Sequence, residues 1–165
     1  MGRYDDKQEE YRVTGIGLIL EAVEEIRRIS KSMAPPRLQD VGLIRSIADL
    51  LGNLSDTSGM QVDFQHDDFT EDSLDDSLKL TIYRIVQEQI TNVVKHAGAS
   101  RLSISIYREE GLLKVVIQDN GKGHDPAAVR NGIGITNIIN RASLHNGIVH
   151  IESAPGQGFG LHITF

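Results

Sequence analysis

The chain of 165 residues contains no cysteine and no tryptophan. Without thiols there is neither a disulfide framework nor a thiolate metal centre, and a cytoplasmic setting is expected. Long hydrophobic runs are also missing. Stretches such as GIGLIL at 15–20 fall far short of the roughly 20 apolar residues of a membrane span. Nor is there a basic surplus: Lys and Arg number 17 against 23 Asp and Glu, a net charge of -6. That balance argues against a broad nucleic-acid surface, which needs clustered cations to neutralise phosphates. Proline occurs only four times, two of them adjacent at Pro35 and Pro36.

What is present is ordinary globular composition, 39% hydrophobic and 24% charged. A chain of this length can bury about two thirds of its unfolded surface. Residues 1–12 are polar, show no secretory signal pattern, and read as an appended start or a linker. From Val13 to Met33 the spacing predicts a helix whose narrow apolar seam, Ile19, Val23, Ile26 and Met33, resembles a coiled-coil stripe more than a broad core face. The APP at 34–36 stops it, because proline lacks the helical donor and disfavours helix at the residue before. A domain boundary is expected there, with a second domain over 37–165.

In that second part the pattern predicts a helix over Leu38–Leu54 and a strand at MQVDF, 60–64. An acidic connector over Asp67–Asp76 follows, then a long helix over about Leu74–Ala97 stopped by Gly98. Strands are expected at 101–108 and 112–119, a helix over Ile133–Asn146, and strands at 148–153 and 160–165. Segregated helices and hairpin-linked strands predict an α+β two-layer sandwich, a mixed sheet with helices on one face.

Several residues in this frame could carry chemistry. On the long helix Arg84, Glu88, Asn92 and Lys95 fall within an arc of about 80° beside the apolar face, with His96 at its edge. A solvated helix face accounts for charge alone. Asn92 stands out, because asparagine is a poor helix former and its amide oxygen is a hard neutral ligand suited to Mg²⁺. Next comes IQDNGKGHDP at 117–126. Asn-Gly after an alternating run signals a hairpin, yet no partner strand begins after it, so a cradle for a ligand is the better reading. Asp119 ends an apolar strand and should lie at the rim of the core, where its carboxylate needs a donor such as a purine amino group. Two further glycine-spaced loops follow, NGIGITN at 131–137 and PGQGFG at 155–160. The first opens a helix, whose free N–H groups favour an anion.

In this order the segments resemble a known family. YRIVQEQITNVVKHA (83–97) is similar to the N box of bacterial sensor histidine kinases. IQDNGKG (117–123), GIGITNI (132–138) and SAPGQGFGLHITF (153–165) resemble their successive G boxes. EAVEEIRRISKSMAPPRLQDVGLIRSI (21–47) resembles the second dimerisation helix of the subfamily that signals to LuxR-type response regulators. The resemblance implies the GHKL (Bergerat-type) ATP-binding fold, with ATP and Mg²⁺ as cofactors and transfer of the γ-phosphoryl group to a histidine on a dimerisation helix. It also implies a homodimeric parent kinase, in which membrane anchoring is possible through segments other than those seen here. Residue by residue, it implies Asn92 as the Mg²⁺ ligand, with Glu88 acting through water or on the attacking group. Lys95 and His96 are implied near phosphate or ribose, Asp119 at the adenine amino group, and Gly121 and Gly123 where backbone passes the base. Gly132, Gly134 and Asn137 are implied at the phosphate end, and Gly156 and Gly158 in the last box.

Three departures from the family pattern stand out. The acceptor histidine motif of the first dimerisation helix is missing, and the histidines at 66, 96, 124, 145, 150 and 162 lie in other segments. His124 stands where an aromatic residue is usual, and Phe159 where a threonine is usual. These last two motivate a second reading, a degenerate nucleotide-binding or docking module that signals by conformation without phosphotransfer.

Overall fold

The computed structural model describes residues 38–66, 69–124 and 133–165. The chain divides into two units, Met1–Pro36 and Arg37–Phe165, and the described residues belong to the second. The helix expected over 13–33, with its seam of Ile19, Val23, Ile26 and Met33, lies outside them. So does Gly132.

The single helix expected over 38–54 is two, α1 (Leu38–Val41) and α2 (Leu43–Ser58). Gly42 separates them at φ 86°, ψ 163°, a conformation that a side chain strongly disfavours. The supposed connector explains the break. Glu71 lies in a short 3₁₀ turn, Glu71–Ser73, and its carboxylate accepts a hydrogen bond from the Leu43 N–H. It satisfies an N–H that the start of α2 leaves open and places negative charge at the positive end of the helix. A Cβ on Gly42 would strike that carboxylate at 2.5 Å. α2 runs past Leu54 and ends at Gly59, which is left-handed (φ 66°) and donates its N–H to Ser55 O.

Strand β1 (Gln61–Gln65) leads through the acidic turn to α3 (Asp76–Asn92). Asp75 caps α3 by accepting from Leu78 N at 2.7 Å. Its Ile82, Ile85 and Val86 are fully buried. The helix does not continue regularly to Ala97 as expected. Its last five residues, Val93–Ala97, form a π turn that ends on left-handed Gly98. β2 (Arg101–Glu109) and β3 (Leu112–Asp119) form a hairpin. Glu110 (φ 52°) and Gly111 (φ 81°) make its two-residue turn, the pair of positive φ values that matches strand twist. Helix α4 (Ile133–Ser143) is three residues shorter than its expected end at Asn146. There Asn146 is left-handed (φ 56°) and Gly147 N–H returns to Ala142 O at 2.9 Å, a reversal that closes the helix. β4 (Ile148–Ser153) and β5 (Phe159–Thr164) complete the chain.

The strands form one sheet in the order β1-β2-β3-β5-β4, with β1 parallel to β2 and all other pairs antiparallel. Side-chain alternation makes it two-faced. Leu102, Ile104 and Ile106 on β2, Leu113, Val115 and Ile117 on β3, and Leu161 and Ile163 on β5 are buried. They form the core with Leu43 and Ile47 of α2, Ile82, Ile85 and Val86 of α3, and Ile138 of α4. The alternate positions, such as Gln118, His150 and Glu152, are exposed. The expected α+β two-layer architecture with a mixed sheet is therefore the one observed.

Candidate functional site

A cleft of about 520 Å³ opens between α3 with its π turn, the loop after β3, and the first turn of α4. Its walls follow from the elements already described. Glu88 and Asn92 are i and i+4 on α3, hence neighbours on one face. Lys95, His96 and Ala97 come from the π turn, and all five residues line the cleft. π turns inside helices recur at functional sites because they re-aim side chains without ending the helix. Lys95 and His96 are solvent-exposed at this mouth.

Asp119 lines the opposite part of the cleft. The alternation that buries Leu113, Val115 and Ile117 also turns Asp119 to the helix side, where it is half-buried. Burial pushes its carboxyl above the usual Asp range. The Gly121 N–H, donating to Asp119 Oδ1 at 2.8 Å, and the nearby His124 both oppose that shift. One oxygen is thus held by backbone while the group as a whole sits in the wall of the cleft. Phe159 lies directly opposite Asp119 across the β3–β5 ladder, is buried, and lines the same cleft, as does His124.

The Asn-Gly pair after β3 makes no hairpin. Asn120 Oδ1 accepts from Ser100 N (2.9 Å) and Arg101 N (2.8 Å), and its Nδ2 donates to Ser100 Oγ (2.9 Å). Lys122 N–H donates to Ala97 O at 2.9 Å, and Lys122 O accepts from Gly156 N. His124 N–H donates to Ser153 Oγ, which in turn donates to Gly158 O, both at 2.9 Å. The loop therefore ties together the end of the α3 helical run, the start of β2 and the β4–β5 connection.

The glycines in these loops have reasons internal to the protein. A Cβ on Gly121 would meet Ala97 O at 2.5 Å, and one on Gly123 (φ 60°) would collide with Ala154 O. Gly158 (φ 75°) lies against Asp119 O, whereas Gly156 (φ 78°) faces open space. Gly134 differs. Its missing Cβ would lie 2.8 Å from Glu88 Oε1 and 3.0 Å from Asn92 Oδ1, so the first turn of α4 closes directly on the two polar residues of α3.

Of the residues expected at a site, Glu88, Asn92, Lys95, His96, Asp119 and Gly134 line one cleft. Gly121, Gly123, Gly156 and Gly158 do not line it, and the first, second and fourth instead pack loop on loop. Asn137 is exposed on α4 and is not among the lining residues. Sequence reasoning missed Gln89, which lines the cleft while being only 2% exposed, and which accepts a hydrogen bond from Asn92 Nδ2 at 3.2 Å. Its place three residues after Val86 and four before Val93, on the apolar stripe of the helix, was the available signal.

Residues 77–165, more than half of the chain, match the family model described as "Histidine kinase-, DNA gyrase B-, and HSP90-like ATPase". Among curated proteins, the chain is 31% identical over 144 residues to sensor histidine kinase MctS of Rhizobium johnstonii, covering 85% of this chain and 31% of that protein. It is 30% identical to the signal transduction histidine-protein kinase/phosphatase UhpB of Salmonella typhimurium, over 84% of this chain and 28% of that one. The chain thus spans about a third of the length of these relatives. Among solved structures, full-length ShkA in complex with AMPPNP superimposes with a TM-score of 0.61 at 21% identity, over 74% of this chain and 29% of that one. The histidine kinase domain of the Erythrobacter litoralis EL346 blue-light activated kinase gives 0.60 at 16%, over 74% and 60%. Both share the fold.

Proposed function

The chain belongs to the family of histidine kinase-, DNA gyrase B- and HSP90-like ATPases, and from that premise we propose that it is the nucleotide-binding catalytic part of a sensor histidine kinase that passes the γ-phosphoryl group of ATP to a histidine. The observation that carries this reading is the meeting of Glu88 Oε1, Asn92 Oδ1 and Gly134 at one wall of a cleft that Asp119 also lines. An adenine amino group finds an acceptor in Asp119, beside the apolar wall of Phe159. A triphosphate finds the exposed Lys95 and His96 and the positive end of the α4 dipole.

The donor set also fits Mg²⁺. Asn92 Oδ1 and the Glu88 carboxylate are hard oxygen donors, the type this ion takes alongside water and phosphate oxygens. When bound, Mg²⁺ supplies neutralisation of charge on the transferring phosphoryl group. Asn92 would hold it, Glu88 would order its water or the attacking imidazole, and Gly134 would leave both free of a neighbouring side chain. Positioning of this kind is the main work in phosphoryl transfer.

The acceptor histidine is to be sought on a dimerisation helix, supplied by the parent kinase as a homodimer, with a LuxR-type response regulator taking the phosphoryl group onward. Resemblance of residues 21–47 to the second dimerisation helix of that subfamily supports these partners. Among the described residues no helix is long and apolar enough to cross a membrane.

The test is an ATP titration followed by transfer to a separately supplied dimerisation domain carrying the acceptor histidine. Binding followed by labelling of that histidine is expected. Binding without transfer would favour the docking module, and absence of ATP binding would remove both readings.

A further inference from the structure

An amide at a metal site presents two different faces, an oxygen that can ligate a cation and an NH₂ group that cannot. Which face of Asn92 looks into the cleft is therefore as consequential as its position. Asn92 Nδ2 donates to Gln89 Oε1 at 3.2 Å, while Asn92 Oδ1 faces Gly134 beside Glu88 Oε1. Gln89 is 2% exposed and, with Ser46 and Thr81, one of the few buried polar side chains among the described residues. It occupies α3 between the buried Val86 and Val93 and reaches the cleft wall from behind.

We propose that Gln89 is a positioning residue for the nucleotide site, fixing the Asn92 amide so that its oxygen faces the cation and phosphates. The inference rests on the reading of Asn92 as a cation ligand. Burial is what makes Gln89 effective. The Gln89 end of the bond is enclosed, and a rotation of the Asn92 amide would leave the buried Gln89 carbonyl without this donor. Glu88 alone would favour the opposite turn, because its carboxylate can accept from an NH₂ group. The Gln89 carbonyl is therefore what holds Asn92 Oδ1 beside Glu88 Oε1, the arrangement a cation would then stabilise. A glutamine that merely filled the core would be replaceable by methionine, which has nearly the same length and volume.

The test compares ATP affinity in excess EDTA and in excess Mg²⁺ for the whole chain, Gln89→Met and Gln89→Glu, after a thermal melt has established folding. For the unchanged chain, Mg²⁺ is expected to tighten binding. In Gln89→Met the affinity in EDTA should stay within about twofold, while the gain from Mg²⁺ should fall by about five- to tenfold, the worth of one hydrogen bond. An ionised glutamate has only acceptors, so Gln89→Glu, measured at a pH high enough to charge its carboxyl, must still take the Asn92 NH₂ group and should keep the Mg²⁺ gain. Equal losses in both conditions for Gln89→Met would show a packing role and overturn the proposal. Loss of the gain in Gln89→Glu would also overturn it, because the two amides would then be paired in the opposite sense. Should Gln89→Met fail to fold, Gln89→Glu decides alone. An unchanged chain that binds ATP with no Mg²⁺ gain would instead overturn the metal reading, and this role with it.

Discussion

Gly158 packs against the main-chain carbonyl of Asp119, so the β4–β5 connection is seated on the end of β3. Gly158 also has a positive φ of 75°. Replacing it with alanine adds backbone strain and a collision with main chain, neither of which a rotamer change can relieve. Gly158→Ala should destabilise the fold by about 1–3 kcal/mol and weaken nucleotide binding through displacement of Asp119. Gly156 has a similar φ of 78°, but a Cβ there would meet no atom within 4 Å, so Gly156→Asn should cost less than about 1 kcal/mol. Urea unfolding of the two variants compares them directly, and equal costs would refute the packing role.

Asp119 is a second point where fold and site conflict. Burial raises its carboxyl above the usual Asp range. Between its unfolded and folded ionisation the native chain holds more protons, so its contribution to stability is full below the usual Asp range and is lost as pH rises through the raised folded value. Asp119→Asn should therefore raise the melting temperature of the unliganded chain at neutral pH, with the difference shrinking as pH falls below the Asp range. The same change should abolish preference for adenine nucleotides. A variant that is less stable at neutral pH would contradict the burial account.

Glu71 provides a control remote from the cleft. Its carboxylate caps α2 at Leu43 and packs against Gly42. Glu71→Ala should lower stability by about 1–2 kcal/mol and leave ATP affinity unchanged once the protein is folded, as calorimetry on the variant can show. A change in affinity would mean that α2 communicates with the site.

The parts of the molecule legible in the sequence are those governed by local periodicity. Asp119 extends the alternation of Leu113, Val115 and Ile117, which fixes its side of the sheet. Glu88 and Asn92 share a helix face by spacing alone. The strand boundaries followed the apolar pattern to within a residue or two. Features that depend on distant partners were not legible. Nothing near Gly42 announces that Glu71 will cap the next helix, and nothing in VVKHA distinguishes a π turn from ordinary helix. Glycines of the recognised motifs read as room for a ligand, yet Gly123 and Gly158 make room for other loops. Gln89 was overlooked because a polar residue in an amphipathic helix is normally assigned to solvent, although its spacing from Val86 and Val93 puts it on the apolar stripe.

The central claim is that Asn92 presents an oxygen to a cation shared with the phosphates of ATP. Titration of ATP into the chain and into Asn92→Ala, each with Mg²⁺ and with EDTA, tests it most directly. The account predicts that Mg²⁺ tightens binding to the unchanged chain and that Asn92→Ala removes this gain, on the order of tenfold or more, while leaving binding in EDTA nearly as it was. An Asn92→Ala chain that keeps the full Mg²⁺ gain would contradict it.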